Sequence, residues 1–299
     1  MVANVSQLKD CRHSPDYFIL LFFICSRYLF NMKKILATIL SITALNAAAL
    51  NPSREYKVLP SKFGMTYKEE QISQKDGAIL NAWFFELPKK TTNWIVISHS
   101  GDGNMADNLE IVNSFLSAGY NVCTYDYRGY GKSSDFEIDP DLFIYPQFIN
   151  DLNAVLDYLR KSRAITKFDL YGIGIGAGLS IGVGAQRPET RKIIADGPWT
   201  GLEFMKKRIK EKLNKDVNLP FGYDKNYEPM YAFDKPKAQL KGMLIIISPK
   251  DILIGPNEIK SIKNVTQTYT VKDSPSNAEN FSTDKNTYFE RIKKFLDQP

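Results

Sequence analysis

The strongest constraint on the fold is a glycine-rich junction at residues 170–178, which reads Leu-Tyr-Gly-Ile-Gly-Ile-Gly-Ala-Gly. The apolar residues up to Tyr171 suit the end of a buried strand, and the residues from Ile175 onward suit the first turn of a helix. Glycines between the two allow a tight turn and a close approach of helix to strand. The pattern therefore predicts a strand that turns directly into a helix, as in the βα units of parallel sheets.

Apolar runs and helical segments alternate along most of the remaining chain. Short apolar runs bounded by polar residues predict buried strands, and apolar residues spaced three to four apart predict helices between them. Strands are predicted at 94–98, 121–125, 167–171, 192–195, 243–247 and 265–271, after an antiparallel pair at 69–72 and 82–85, with helices at 106–118, 148–159, 175–186 and 288–296. This order favours an α/β fold with a mostly parallel central sheet flanked by helices.

Residues 200–236 interrupt the alternation. An apolar stripe with helical spacing is followed by a group of aromatic residues. The members are Leu202, Met205, Ile209 and Leu213 on the stripe, then Phe221, Tyr223, Tyr227, Tyr231 and Phe233. We predict a small helical and aromatic insertion, which would be either a lid with a basic surface or a helix with a solvated lysine face and packed aromatics.

The first 49 residues are predicted to be a targeting region. Residues 32–49 combine a short basic start, an apolar run and a final stretch of alanines, which is the pattern of a secretory signal peptide. We therefore expect a non-native leader extension at 1–31, a signal peptide from Met32 to residue 49, and a periplasmic or secreted domain at 50–299. The alternative is an uncleaved N-terminal membrane anchor, and only in that case is the membrane a partner.

Charge and composition argue against several other classes of protein. The net charge is +6, of which +3 belongs to residues 1–49, so the remaining chain is not basic enough to indicate nucleic-acid binding. No group of cysteine, histidine or carboxylate residues has the spacing of metal ligands. We expect no metal, no cofactor and no nucleic-acid partner. Cys123 is the one cysteine after residue 49, and its strand-like setting predicts a buried thiol.

Three segments at the predicted strand ends resemble the α/β-hydrolase superfamily. Residues 126–133 read Asp-Tyr-Arg-Gly-Tyr-Gly-Lys-Ser and are similar to the D-x-R-G-x-G-x-S segment of its esterases, lipases and serine aminopeptidases. Residues 99–104 resemble the H-G-x-x-G-N loop, with Ser100 in place of the first glycine. Residues 248–254 look like the turn that carries the triad acid. The resemblance spans residues 65–298 and implies an α/β-hydrolase fold.

The resemblance also implies where each catalytic group should stand. The junction is similar to the nucleophile turn G-x-S-x-G of these hydrolases, and Gly174 occupies the position of its serine. Asp251 is then the triad acid. The oxyanion pocket would be lined by His99, Ser100, Gly101 and Ile175.

The catalytic base is the second missing group. By the resemblance it should lie between the last strand and the last helix, but residues 272–281 contain no histidine. The sequence has two histidines, and His13 lies in the leader, so His99 is the single histidine of the mature domain. Acyl-enzyme chemistry needs a nucleophile, a base and an orienting acid. The favoured hypothesis is therefore an exported pseudo-hydrolase with a vestigial pocket for a small ester-like or acidic ligand.

Two alternatives stay open. The first is an active serine-type hydrolase, esterase-like or peptidase-like, that uses a non-standard nucleophile or base: Ser180 lies in a literal G-x-S-x-G, and Ser100 or His99 could serve in another arrangement. The second is a nucleotide-binding protein, because residues 172–177 fit the dinucleotide fingerprint G-x-G-x-x-A, with Asp196 about twenty residues further on.

Overall fold

The computed structural model describes residues 50–299. The predicted leader at 1–31 and the predicted signal peptide at 32–49 lie outside the described residues, as does His13. Within residues 50–299, no helix is both long enough and apolar enough to cross a membrane.

The centre of the described chain is a sheet of eight strands. In chain order they are β1 (Lys68–Ser73), β2 (Ile79–Phe85), β3 (Trp94–Ser98), β4 (Asn121–Tyr125), β5 (Phe168–Ile173), β6 (Thr190–Asp196), β7 (Gly242–Ile247) and β8 (Gln267–Thr270). Their order across the sheet is β8-β7-β6-β5-β3-β4-β2-β1. The pairs β1–β2 and β2–β4 are antiparallel, and the other neighbouring pairs are parallel. The predicted α/β class with a mostly parallel sheet is confirmed.

Six α-helices are described along with the sheet. They are α1 (Leu109–Ser117), α2 (Gln147–Ser162), α3 (Ile175–Ala185), α4 (Leu202–Leu213), α5 (Asn280–Thr283) and α6 (Lys285–Leu296). A 3₁₀ turn at Met105–Asn108 precedes α1, which is why the sequence pattern places the start of that helix three residues too early.

Both faces of the sheet are covered by helices. On β3, Val96 belongs to the core layer that includes α2 and α3, whereas Ile95 and Ile97 belong to the opposite layer with α1 and α6. Successive side chains of a strand point to opposite faces, so a strand covered on both sides must be apolar throughout. This requirement explains the continuous apolar runs of the sequence.

Helix α3 lies unusually close to the sheet because glycines form its contact surface. A Cβ atom on Gly176 would overlap the carbonyl oxygen of Ser98, and a Cβ on Gly172 would overlap the backbone of Gly176. On another side of the helix, a Cβ on Gly178 would overlap the indole of Trp199. These glycines are therefore required by packing, whatever chemistry the junction performs.

The segment at residues 126–133 holds loops and helices together. Arg128 is buried, and its Nε donates a hydrogen bond to Asp151 of α2 at 2.9 Å. The Asp126 carboxylate accepts a hydrogen bond from the Met105 N–H at 2.9 Å, and burial raises its pKa to about 6. Ser133 closes the segment by donating to the Asp126 carbonyl at 2.7 Å. Each polar residue of this motif thus has a structural partner.

Residues 200–236 form the insertion between β6 and β7. Its helix α4 buries Leu202, Met205 and Ile209, while most of its lysines are exposed. Of the aromatic group, Phe233 is buried and Phe221 is fully exposed. The arrangement corresponds to the helix with a solvated lysine face, and movement as a lid stays a prediction.

Candidate active site

Gly174 occupies the turn between β5 and α3. Its backbone angles are φ 54° and ψ −113°, and it is the N-cap residue of α3. Its N–H donates a hydrogen bond to the carbonyl oxygen of Asp196 at 2.8 Å. A positive φ costs free energy in a residue with a side chain but not in glycine, so this turn has the backbone shape of a nucleophile elbow without its strain. The predicted elbow geometry is therefore present, with a glycine at its centre.

Space for a side chain exists at Gly174, in contrast to the other glycines of the junction. A Cβ built there would have the Cβ of Ser100 as its nearest neighbour, at 3.6 Å, which is an ordinary van der Waals distance. The side chain of a residue at this position would therefore face the loop at residues 99–104. The geometry would accommodate a serine, but the chain does not supply one.

The oxyanion corner is formed where the loop at residues 99–104 meets the start of α3. Ile175 is the first residue of α3, and N–H groups in the first turn of a helix have no acceptor within the helix. Ser100 is half-buried beside the elbow, and its hydroxyl exchanges weak hydrogen bonds with the Asp102 backbone at 3.3 and 3.4 Å. Gly101 adopts φ 85°, which turns the loop. The structure brings Gly174, Ser100, Gly101 and Ile175 together.

His99 does not stand where a catalytic base could act. Its ring is buried between Tyr127 and Tyr130, with ring centroids 4.3 and 5.0 Å away. Nδ1 accepts a hydrogen bond from the Gly101 N–H at 3.2 Å, and burial lowers the pKa of the imidazole to about 3. A base needs a pKa near the working pH and access to the proton that it removes. His99 instead shapes the oxyanion loop, so the hypothesis of a relocated base is not supported.

Asp251 lies on the turn after β7, as the resemblance implies, but its carboxylate is already occupied. Oδ1 accepts hydrogen bonds from the N–H groups of Leu253 and Ile254, both at 2.9 Å. Oδ2 accepts one from the Asn277 N–H at 2.8 Å. Asn277 belongs to the loop between β8 and α5, where a triad would carry its histidine. The acid therefore orients a backbone amide where a hydrolase would have an imidazole.

Asn277 also fixes this loop through its side chain, a role that sequence reasoning missed. Its Oδ1 accepts a hydrogen bond from the Ser248 N–H at 2.7 Å, and its Nδ2 donates to the Ile254 carbonyl at 2.8 Å. Ser248 in turn donates its hydroxyl to the Ser274 carbonyl at 2.6 Å. The sequence signal for this role was an asparagine in the loop to which the resemblance assigns a histidine.

The structural role of Asp196, a buried carboxylate on the strand beside the elbow, was also not predicted from the sequence. Asp196 accepts hydrogen bonds from Asn280 Nδ2 at 2.6 Å and from the Tyr288 hydroxyl at 2.7 Å, and Tyr288 shares a 2.7 Å hydrogen bond with Tyr171. Burial raises the pKa of Asp196 to about 7. The network joins β6 to α5 and α6. Because the Asp196 carboxylate is buried and engaged in this network, it is not available to bind a ribose. The dinucleotide-binding hypothesis therefore lacks the acidic residue that it requires.

Ser180 is placed far from the chemistry that its motif suggests. It lies inside α3, its side chain is fully buried, and its hydroxyl has no hydrogen-bond partner within residues 50–299. A nucleophile must be exposed at a strand-to-helix turn, and a substrate could reach Ser180 only if α3 came away from its neighbours. The alternative of Ser180 as nucleophile is therefore not supported by the structure.

In residues 50–299, no group of three or more histidine, cysteine, aspartate or glutamate side chains is arranged to hold a metal ion.

Comparison with known proteins gives a consistent picture of the fold. Residues 89–223 match the hydrolase family described as serine aminopeptidase, S33. The esterase Pf2001 from Pyrococcus furiosus superimposes with a TM-score of 0.65 at 18% sequence identity, over 83% of this chain and 97% of the esterase. The predicted α/β-hydrolase fold is confirmed.

Curated relatives match parts of the chain at low identity. The α/β hydrolase domain-containing protein WAV2 of Arabidopsis thaliana is 26% identical over 145 residues, which is 48% of this chain and 45% of that protein. The uncharacterized protein YqkD of Bacillus subtilis is 22% identical over 262 residues, which is 80% of this chain and 78% of that protein. The chain thus spans less than half the length of the plant relative.

The buried Asp196 predicts a dependence of stability on pH. Its pKa is about 7 when folded and near the ordinary 3.8 when unfolded, so the folded state holds the extra proton between these values. The free energy of unfolding should therefore fall as pH rises from 5 to 8, by roughly 1–3 kcal/mol. Asp196→Asn cannot ionise and should lose most of this dependence in urea unfolding at pH 5, 6.5 and 8. Exposed Asp273→Asn is the control, and parallel curves for wild type and Asp196→Asn would contradict the assignment.

Proposed function

We propose that this chain is a member of the α/β-hydrolase superfamily that keeps the fold but does not carry out acyl-enzyme chemistry. One observation carries the proposal: the elbow has the backbone geometry of a nucleophile turn and room for a side chain, yet its central residue is Gly174. A serine hydrolase must form a covalent bond from this position. Glycine offers no atom with which to form it.

The arrangement around Asp251 supports the same proposal independently. The carboxylate accepts three backbone hydrogen bonds, one of them from Asn277 in the loop where the base belongs. His99, the one histidine in residues 50–299, is buried with a strongly lowered pKa. Without nucleophile or base, only binding and an oxyanion corner are left, and in a triad enzyme these supply on the order of 10³-fold over water.

The proposal predicts that purified protein resists a fluorophosphonate probe, which labels activated serines covalently. Gly174→Ser should restore a hydroxyl at the elbow but no base, so its hydrolysis of p-nitrophenyl acetate should stay at least roughly 10⁴-fold below that of a complete triad. Mass spectrometry of the probe-treated protein is the measurement. Covalent labelling of any serine in the wild type, Ser100 included, would overturn the proposal. Ser100→Ala would then show whether that hydroxyl is responsible.

The corner at Ile175 is proposed to bind a small ester-like or acidic ligand. The first N–H groups of α3 and the positive end of its dipole favour a carboxylate or carbonyl oxygen beside Gly174. The residues that surround this position, Ser100 and Gly101, carry no opposing negative charge of their own. Binding of this kind does not need the missing nucleophile.

Octanoate is a suitable probe for this binding. At ten times its Kd it should raise the Tm by about 2–6 °C, since binding to the folded state adds about 1.4 kcal/mol. Ile175→Pro should abolish the shift, because proline is tolerated at the first helical position but lacks the N–H. Octylammonium, with the same tail and opposite charge, is the matched control. Equal shifts with both compounds, or an unchanged shift in Ile175→Pro, would argue against the site.

Export is proposed on the sequence pattern of residues 32–49. If the signal peptide is removed as the pattern predicts, the mature chain begins at Leu50. Sequencing the N-terminus of the protein recovered from periplasmic and culture fractions is the direct measurement. Protein found only in the membrane fraction, with residues 32–49 still attached, would favour the uncleaved anchor instead.

A further inference from the structure

Residues 50–56, here called the strap, lie across the two loops that border the elbow. Asn51 and Pro52 pair in parallel with Asp102 and Gly103, forming a short sheet separate from the eight-stranded one. The Asn51 N–H donates to the Gly101 carbonyl, and a second hydrogen bond of the same kind follows two residues later, both at 2.9 Å. The strap thus adds an extended strand to the oxyanion loop.

A second loop holds the other edge of the strap. The Gly131 N–H of this second loop donates to the Ser53 carbonyl at 2.9 Å, while Asn104 Nδ2 of the oxyanion loop donates to the Glu55 carbonyl at 2.7 Å. Arg54 donates to the Ser133 carbonyl at 2.8 Å. Most of these bonds use main-chain atoms of the strap. A groove that binds main-chain atoms accepts an extended peptide with limited regard to its sequence.

Two side chains anchor the strap at its ends. Leu50 is 3% exposed and packs against Gly101, so closely that a Cβ on Gly101 would lie 2.9 Å from its methyl group. Tyr56 donates its hydroxyl to the Asp126 carboxylate at 2.5 Å and accepts from Asn81 Nδ2 at 2.9 Å. Between the anchors, the strap residues Asn51, Pro52, Arg54 and Glu55 are exposed.

We propose that the groove between residues 101–104 and 130–133 is a binding site for an extended peptide segment, and that the strap fills it as a displaceable occupant from the same chain. The peptide would carry an aliphatic residue at the elbow end and a tyrosine six residues later, as the strap does. Displacement leaves the eight-stranded sheet intact and frees the main-chain groups of both loops that the strap now occupies. The proposal concerns binding and does not depend on the proposed loss of catalysis.

The test uses the full chain with Leu50→Asp, which puts a charge into the buried contact with Gly101. Val58→Asp is the matched control, because Val58 is 38% exposed and lies outside the strap. The probe is the peptide Leu-Asn-Pro-Ser-Arg-Glu-Tyr with a C-terminal fluorophore, followed by anisotropy. Leu50→Asp should bind it at least tenfold more tightly than wild type or Val58→Asp. A peptide with aspartate in place of its leucine should bind Leu50→Asp at least tenfold more weakly.

Hydrogen exchange of residues 50–56 shows whether the strap has been released. If Leu50→Asp fails to unfold cooperatively, Tyr56→Phe replaces it, since this change removes only the hydroxyl that contacts Asp126. Faster exchange in the strap together with tighter peptide binding supports the proposal. The proposal would be overturned if the strap exchanged faster but the peptide did not bind, or if all variants bound the peptide with equal affinity. Unchanged hydrogen exchange of residues 50–56 in both strap variants would also overturn it.

Discussion

The close contact of α3 with the ends of β3 and β5 determines the rest of the site. Gly176 lies so near the Ser98 carbonyl that any side chain would overlap it. This approach sets the position of the turn at Gly174, the direction of the free N–H at Ile175, and the distance from both to Ser100. It depends on van der Waals packing without a Cβ, and a closely packed interior cannot absorb even one added methyl group there. The elbow would therefore keep its shape even in a protein that makes no use of it.

The loop between β8 and α5 shows how a hydrolase fold can be completed without its base. In a triad, the acid orients an imidazole and stabilises its positive charge. Here Asp251 stabilises backbone N–H groups, and Asn277 connects that carboxylate to the strand end at Ser248. The Asp251 carboxylate and both polar atoms of the Asn277 side chain have hydrogen-bond partners within the protein. A histidine placed in this loop would have to compete with these bonds for the same carboxylate, so a working triad would need a rearranged loop as well as two substitutions.

The α/β class, the approximate positions of the eight central strands and of the longer helices, and the site of the elbow could all be predicted from the sequence. Each follows from periodic apolar patterns and from glycines at a strand end, which are local signals. The place of Asp251 was predicted only through a resemblance. The contacts of Asp251 with Asn277, of Asp196 with α5 and α6, and of His99 with Tyr127 and Tyr130 were not predictable, because each joins elements that are remote in sequence. Asp196, for example, meets Asn280 and Tyr288 only when α5 and α6 return to the sheet.

The strap is a structural feature that no sequence motif predicts. Its residues form no apolar run, and the groove they fill is made from backbone carbonyls and amides of two loops. Leu50 and Ile175 both lie beside Gly101, so the strap ends next to the corner where a ligand is proposed to bind. A peptide that enters the groove must supply more free energy than the strap contributes, and a short segment paired with two loops has a lower threshold than a strand of the central sheet. If the groove binds a peptide, its apparent affinity is set by how firmly the strap is held, as much as by the groove itself.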